Sequence, residues 1–372
     1  MTGTPIDIGP FVEAAGNRTE RLARHAEKQK VLGWFCTYTP IELIHAAGFL
    51  PVRIYGGTIR VELAGSLVPN FVCPYMRTSL ERALRGEYKY LSGVIQGYTC
   101  DAPCGLMSIW QENTGPGLFH TVPLPYNSDQ NARTFYRHTL KELIDKLAGA
   151  GGKVTPASLG RSLDLYADIR KRLLRLYELR LQGVTLRSAR DFYTVIEAGF
   201  CLPPEEYLEL LTGLGGALEN QAATKEEGIP VLVSGSIVEQ LWIFDLLEAA
   251  GGRVVADDLC NGYRFCQPAD GRGEDPMERL IDRYINRFPC PARSNLEERV
   301  PQVRKLVERS GAKGVVFIFQ KFCTPHLADY PALAAELKND GIPVVLVEMD
   351  ESGNIEGQLK TRFGAFFEMI AG

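Results

Sequence analysis

Two cysteines stand where a sheet would deliver them to a ligand. Cys323 follows the apolar run Gly314-Val315-Val316-Phe317-Ile318-Phe319, and Cys100 follows Gly93-Val94-Ile95-Gln96 by way of Gly97-Tyr98-Thr99. Runs of β-branched and aromatic residues read as buried parallel strands. The carboxyl edge of such a sheet is where ligands bind, because loops and helix N-termini converge there. Strands from distant parts of the chain, each ending in a thiol, predict one shared site. A thiolate at such an edge is stabilised by the helix dipole and by free backbone N–H groups, which favours metal ligation. Cys36, Cys73 and Cys260 fall in similar positions.

The chain has nine cysteines. In a reducing compartment they are not disulfides, so metal or redox duty competes with the plain role of a small buried hydrophobe. No C-x2-C pair of the structural-zinc type occurs, and Cys100-x3-Cys104 alone is a weak signal. A metal site here has to be assembled from distant cysteines, as a cluster between domains would be.

Other chemistry is thinly represented. No G-x-G-x-x-G follows a strand, and Gly213-Leu214-Gly215-Gly216 falls in a helical stretch. No phosphate-binding loop exists, since Gly152-Lys153 is followed by Val154, so an ATP-driven step belongs to another protein. Ser234-Gly235-Ser236 reads either as an anion-binding turn or as a tight turn with a serine cap. The five histidines are scattered, and there is no G-x-S-x-G elbow. His45 reads as a core or interface histidine, whereas His326, three residues past Cys323, is placed to reach the same site.

The elements that would position these groups follow from periodicity. Strands are expected at Val31–Phe35, Leu50–Tyr55, Gly93–Gln96, Leu118–Val122, Ile229–Val233, Arg253–Ala256, Gly314–Phe319 and Pro343–Glu348. Helices are expected between them, among others at 237–249, 276–287, 295–310 and 330–339. Thr39-Pro40-Ile41-Glu42 offers Thr39 as an N-cap with proline first in the helix. Glycine-rich 148–153 reads as a linker, followed by helices at about 158–182, 188–198 and 204–220. The expected fold is α/β: two doubly wound parallel-sheet (Rossmann/flavodoxin-like) domains, 1–150 and 227–372, joined by a helical block, 151–226. Phe71-Val72-Cys73-Pro74 and Phe288-Pro289-Cys290-Pro291 echo each other, as a duplication would produce. With 45% apolar residues and net charge −4, the chain can bury a core and shows no basic stripe for nucleic acid. No apolar stretch approaches the ~20 residues that span a bilayer, and no secretory signal is visible, so a cytoplasmic location is expected.

Gly33-Trp34-Phe35-Cys36-Thr37-Tyr38-Thr39-Pro40, with Glu42-Leu43-Ile44 and Ala46-Ala47-Gly48-Phe49-Leu50-Pro51-Val52-Arg53, resembles the opening of the 2-hydroxyacyl-CoA dehydratase/benzoyl-CoA reductase subunit family. Cys73-Pro74, Thr99-Cys100-Asp101, Gln320-Lys321-Phe322-Cys323 and the closing Thr361-Arg362-Phe363-Gly364-Ala365-Phe366-Phe367-Glu368 agree with it in order. The resemblance implies a [4Fe–4S] cluster held by Cys73, Cys100 and Cys323. It also implies an acyl-CoA substrate, a related second subunit or a homodimer, and an ATP-hydrolysing iron–sulfur activator. One low-potential electron would form a ketyl radical on the thioester, expelling the 2-hydroxyl or starting ring reduction. Ile41 replaces the first Glu of the family's Pro-Glu-Glu. Thr37 stands where some members have a serine able to reach substrate, and its hydroxyl would serve in the same way. Cys104 has no family role. Cys36, Cys260 and Cys290 resemble positions of the branch whose six cysteines hold a double-cubane [8Fe–9S] cluster in a homodimeric reductase. The single cluster is the leading expectation and the double cubane its alternative; a non-catalytic partner subunit is a further one.

Overall fold

The computed structural model describes residues 6–115, 117–223, 227–267, 273–293, 296–351 and 355–372. Two four-stranded parallel sheets organise it. In the first, β1 (Val31–Trp34), β2 (Leu50–Arg53), β3 (Leu91–Gly97) and β4 (Leu118–Val122) lie in the order β2-β1-β3-β4. In the second, β5 (Ile229–Gly235), β6 (Gly252–Asp258), β7 (Gly314–Gln320) and β8 (Val344–Met349) lie in the order β6-β5-β7-β8. The strand order is the same in both. In each sheet the winding of the chain therefore reverses at the centre, between β1 and β3 and between β5 and β7. Crevices at the carboxyl ends of such a reversal are where doubly wound folds bind ligands. The expected α/β class is what the structure shows, and the shared order extends the local echo around Cys73 and Cys290 to whole sheets.

Strand β7 is buried at all seven positions, as an unbroken apolar run covered on both faces must be. Close strand approach is set by glycines. A Cβ at Gly235 would stand 1.9 Å from the Ile318 carbonyl oxygen, so β5 and β7 meet at this separation only because position 235 has no side chain. Gly93, at φ 154°, has the same relation to Leu118 across β3 and β4.

The long helix Pro156–Leu181 starts with a reciprocal Thr155/Ser158 capping box, and Ser188 caps Ala189–Ala198. Together with Pro204–Glu219 they share one apolar core with the second sheet, in which Phe192, Tyr193 and Leu211 join Val233, Phe244 and Val316. The first sheet has separate cores on its two faces, around Leu32, Ile95 and Leu143 and around Phe35, Val94 and Trp110. Helix Pro276–Ile285 crosses back to the first of these through Leu280, Ile281 and Tyr284. The two halves are thus interlocked.

Several local expectations shift. The helix expected from Ile237 begins at Trp242, because the Val238 amide donates to Asn261 Oδ1 (3.0 Å) and the Val238 carbonyl accepts from Asn261 Nδ2 (2.6 Å). Thr39 is not the cap of Ile41–Ala46; Pro40 is, and the Thr39 hydroxyl accepts from the Gly97 amide at the end of β3 (3.0 Å). The helices after Cys100 and Cys323 begin earlier than periodicity suggests, at Asp101 and Thr324. Asn295, expected at the head of one helix, lies outside the described residues; the helix is seen from Leu296 to Ser310. No described helix is long and apolar enough to cross a membrane.

Candidate active site lined by cysteines

Each of Cys73, Cys100 and Cys323 is the N-cap of the helix that follows it, namely Pro74–Leu84, Asp101–Thr114 and Thr324–Asn339. Proline in the first turn of the first and third helices fixes the entering backbone. The helix dipole places partial positive charge at all three thiols. At Cys73 burial pushes the thiol up to about 11, against the pull of the Met76 and Tyr75 amides. Phe322, immediately before Cys323, is the one non-glycine described residue at positive φ (62°).

A second set comes from different elements. Cys36 opens the turn after β1, and its sulfur accepts from Thr99 Oγ1 (3.2 Å), which ties the end of β1 to that of β3. Cys260 follows β6, and Cys290 lies in the turn after Pro276–Ile285. Both sulfurs lie within 4 Å of one atom, Arg264 Nη1, at 3.5 and 3.8 Å.

These six thiols share one neighbourhood. Burial drives Cys100 far up, and the thiols of Cys36, Cys323, Cys73 and Cys290 add to it in that order. Cys323 is raised by burial, then by Cys73, with Cys260 and Cys290 contributing further. Cys260 is pushed up to about 12 by burial, Arg264 working against this while Cys290 and Cys36 reinforce it. Crowded, desolvated thiols of this kind resist becoming anions unless a cationic group accepts them. That donor set fits an iron–sulfur cluster, which is held by thiolates. Among the described residues no three His, Cys, Asp or Glu side chains converge tightly enough to hold a single metal ion.

The remaining cysteines divide differently. Cys201 and Cys266 are buried in apolar cores and donate to backbone carbonyls. Cys104 accepts from Gln96 Nε2 (3.4 Å) and is raised to about 11 by burial and Asp101. His326 does reach Cys323, with Nδ1 3.3 Å from its sulfur. His45 bridges elements, with Nδ1 3.0 Å from Ser162 Oγ and Nε2 3.1 Å from Glu205. The hydroxyls of Ser234 and Ser236 are committed inside the protein, to Asp258 (2.9 Å) and the Gln320 amide (2.8 Å).

Thr37 sits next to Cys36, and its carbonyl accepts from Arg287 Nη1. The Arg287 guanidinium lies 5.0 Å over the Tyr38 ring. Tyr38 and Arg287 in turn line a cavity of about 510 Å³, with Tyr126, Tyr136 and Arg293 around it. The Tyr38 hydroxyl is raised by burial and then by Cys290, with Arg287 opposing and Cys36 adding. Sequence reasoning missed Arg264, Tyr38 and Glu239. The Glu239 carboxylate accepts from the Gly56 and Gly57 amides (3.0 and 2.7 Å) and pairs with Arg53 (3.2 Å). Burial outweighs those partners and pushes it up to about 7. Glu239 carries no local motif because its partners lie more than 180 residues away, and Arg264 and Tyr38 sit in segments whose type alone names no role.

Comparison with known proteins agrees with this architecture. The chain is 27% identical to the (R)-phenyllactyl-CoA dehydratase beta subunit of Clostridium sporogenes over the full length of both. It is 27% identical to one of the benzoyl-CoA reductase subunits of Thauera aromatica, covering 92% of this chain and 91% of that one. It is 25% identical to the beta subunit of the (R)-2-hydroxyglutaryl-CoA dehydratase of Acidaminococcus fermentans, covering 98% of each. Residues 36–370, which hold all six clustered cysteines, match the family described as 2-hydroxyglutaryl-CoA dehydratase, D-component, and the chain belongs to that family of enzyme subunits.

Proposed function

We propose that the chain is the iron–sulfur subunit of an acyl-CoA dehydratase or benzoyl-CoA reductase type enzyme, with two triads of cysteine ligands. Cys73, Cys100 and Cys323 form one triad, and Cys36, Cys260 and Cys290 the other, the set suited to a double-cubane [8Fe–9S] cluster. The observation that carries this is the common neighbourhood of the six thiols at the carboxyl ends of both sheets. Such a group supplies one-electron chemistry at low potential. The chain's own residues do the positioning. Arg287 fixes the Thr37 carbonyl and the Tyr38 ring, and the Thr37 hydroxyl would hydrogen-bond a substrate oxygen.

A single [4Fe–4S] cluster on Cys73, Cys100 and Cys323 is the second reading, favoured by the three relatives above, which are named for acyl-CoA compounds. In either form the substrate is an acyl-CoA thioester that accepts one electron as a ketyl radical. A related subunit or second copy completes the enzyme, as relatives named as subunits suggest, and an ATP-hydrolysing iron–sulfur activator drives it. The setting is cytoplasmic and free of oxygen. The division into 1–150, 151–226 and 227–372 belongs to the same proposal.

Iron and acid-labile sulfide on anaerobically purified chain test it. Roughly eight iron per chain, falling in Cys260→Ser, is the expected result; roughly four, unmoved in Cys260→Ser, returns the site to a single triad. Absence of both iron and sulfide after anaerobic reconstitution overturns the iron–sulfur reading in either form.

A further inference from the structure

We infer that Arg264 sets the electron affinity of one half of the cysteine centre, so that the first electron delivered there rests on the half held by Cys36, Cys260 and Cys290. This rests on the two-triad reading.

Arg264 is 2% exposed, and its guanidinium is shared out with little slack. Nε donates to Asp258 Oδ1 (2.6 Å), and Nη2 donates to the carbonyls of Asp258 and Gly235. Among the described residues Nη1 has no oxygen partner. It points at Cys260 and Cys290, and lies 3.4 Å from His326 Nε2. The charge of Asp258 is itself divided, since Arg299 Nη2 also reaches it (3.2 Å). A fixed cation therefore donates straight to two sulfurs of one triad. Arg287 adds a second cation to the same half, facing Cys36.

The other triad has no such donor. Among the described residues no arginine or lysine donates to Cys73, Cys100 or Cys323, and the carboxylates nearest Cys73 are themselves paired, Glu351 with Arg77 and Glu239 with Arg53. His326 lies between the halves, one ring nitrogen on Cys323 and the other on Arg264.

Added negative charge is favoured beside a donating cation. A hydrogen bond to a charged group is worth about 1.5–3 kcal/mol, or roughly a tenfold to hundredfold preference for the electron. The step itself is outer-sphere. One electron arrives from a one-electron reductant, which is oxidised by one, and no bond is made or broken.

The test is a potential titration of the anaerobically reconstituted full chain with titanium(III) citrate, followed by electron paramagnetic resonance. Arg264→Gln alone would strand Asp258 and endanger folding. The working variant is therefore Arg264→Gln with Asp258→Asn, beside the charge-keeping Arg264→Lys. In the neutral pair the fraction reduced at the wild-type midpoint should fall about tenfold, whereas Arg264→Lys should keep most of it. Eight iron per chain with an unmoved midpoint in the neutral pair overturns this inference alone. Four iron in the wild type, unaffected by Cys260→Ser, overturns the two-triad reading and this inference with it.

Discussion

Cys73, Cys100 and Cys323 can each be lost without removing much packing, because serine differs from cysteine by one atom and each residue stands at a helix end. Cys73→Ser, Cys100→Ser and Cys323→Ser should therefore lower bound iron and abolish activity while circular dichroism stays near wild type; full iron content in Cys323→Ser would contradict its role as a ligand. Glu239 makes a different prediction. Its folded pKa, about 7, lies above the free value of 4.5, so the folded chain holds the proton more tightly than the unfolded one. The resulting stability is complete below about pH 4 and is lost as pH rises through 7, an effect on the order of 3 kcal/mol. His326, depressed by burial, works in the opposite sense. The difference between wild type and Glu239→Gln in urea melts from pH 4 to 8 isolates the Glu239 contribution, and parallel curves would count against it. At this scale the sequence is half legible. Thiols at strand ends are visible in a run of letters, whereas a carboxylate held by amides 182 residues away is not.

Between elements, what matters is how closely β5 can approach β7. Gly235→Ala would force a Cβ onto the Ile318 carbonyl, so the strands must part just below Ser236 and Gln320. A loss of about 1–3 kcal/mol in denaturant melts is expected, as for other overpacked sites. An unchanged midpoint would mean that the edge is softer than its geometry implies. All eight strands were foreseeable because each is an apolar run short enough to exclude a helix. Where helices begin was less so. Trp242 replaces Ile237 as a start because Asn261, beyond the next strand, claims the Val238 backbone, and the Thr39 hydroxyl turns to β3 rather than to its own helix. Local pattern carries local preference, and tertiary hydrogen bonds override it.

For the molecule as a whole, the helical stretch and the second sheet share a core, and helix Pro276–Ile285 packs on the first sheet. The cysteines accordingly sit in one interlocked body. Purified alone, the chain should hydrolyse no ATP, since it carries no phosphate-binding loop. Acyl-CoA turnover should appear only with an ATPase activator and a strong reductant under anaerobic conditions. Turnover by the isolated chain with a nicotinamide cofactor would instead contradict the activator-dependent reading.

Phe322 gives the site a property of another kind. A left-handed conformation costs a non-glycine residue roughly 1–2 kcal/mol, so this bend is a cocked latch. It is held on one side by the Lys321 amide donating to Met349 (2.8 Å) and on the other by the Cys323 amide donating to Gln320 (3.0 Å). A group held by Cys323 would keep the latch closed, and without one the cheapest release would be rotation at Phe322, which is already 40% exposed. The chain would then report an empty site by opening at this one corner. Amide exchange at 321–324 should quicken in Cys323→Ser well beyond the change at 72–75 in Cys73→Ser, where no such tension is stored.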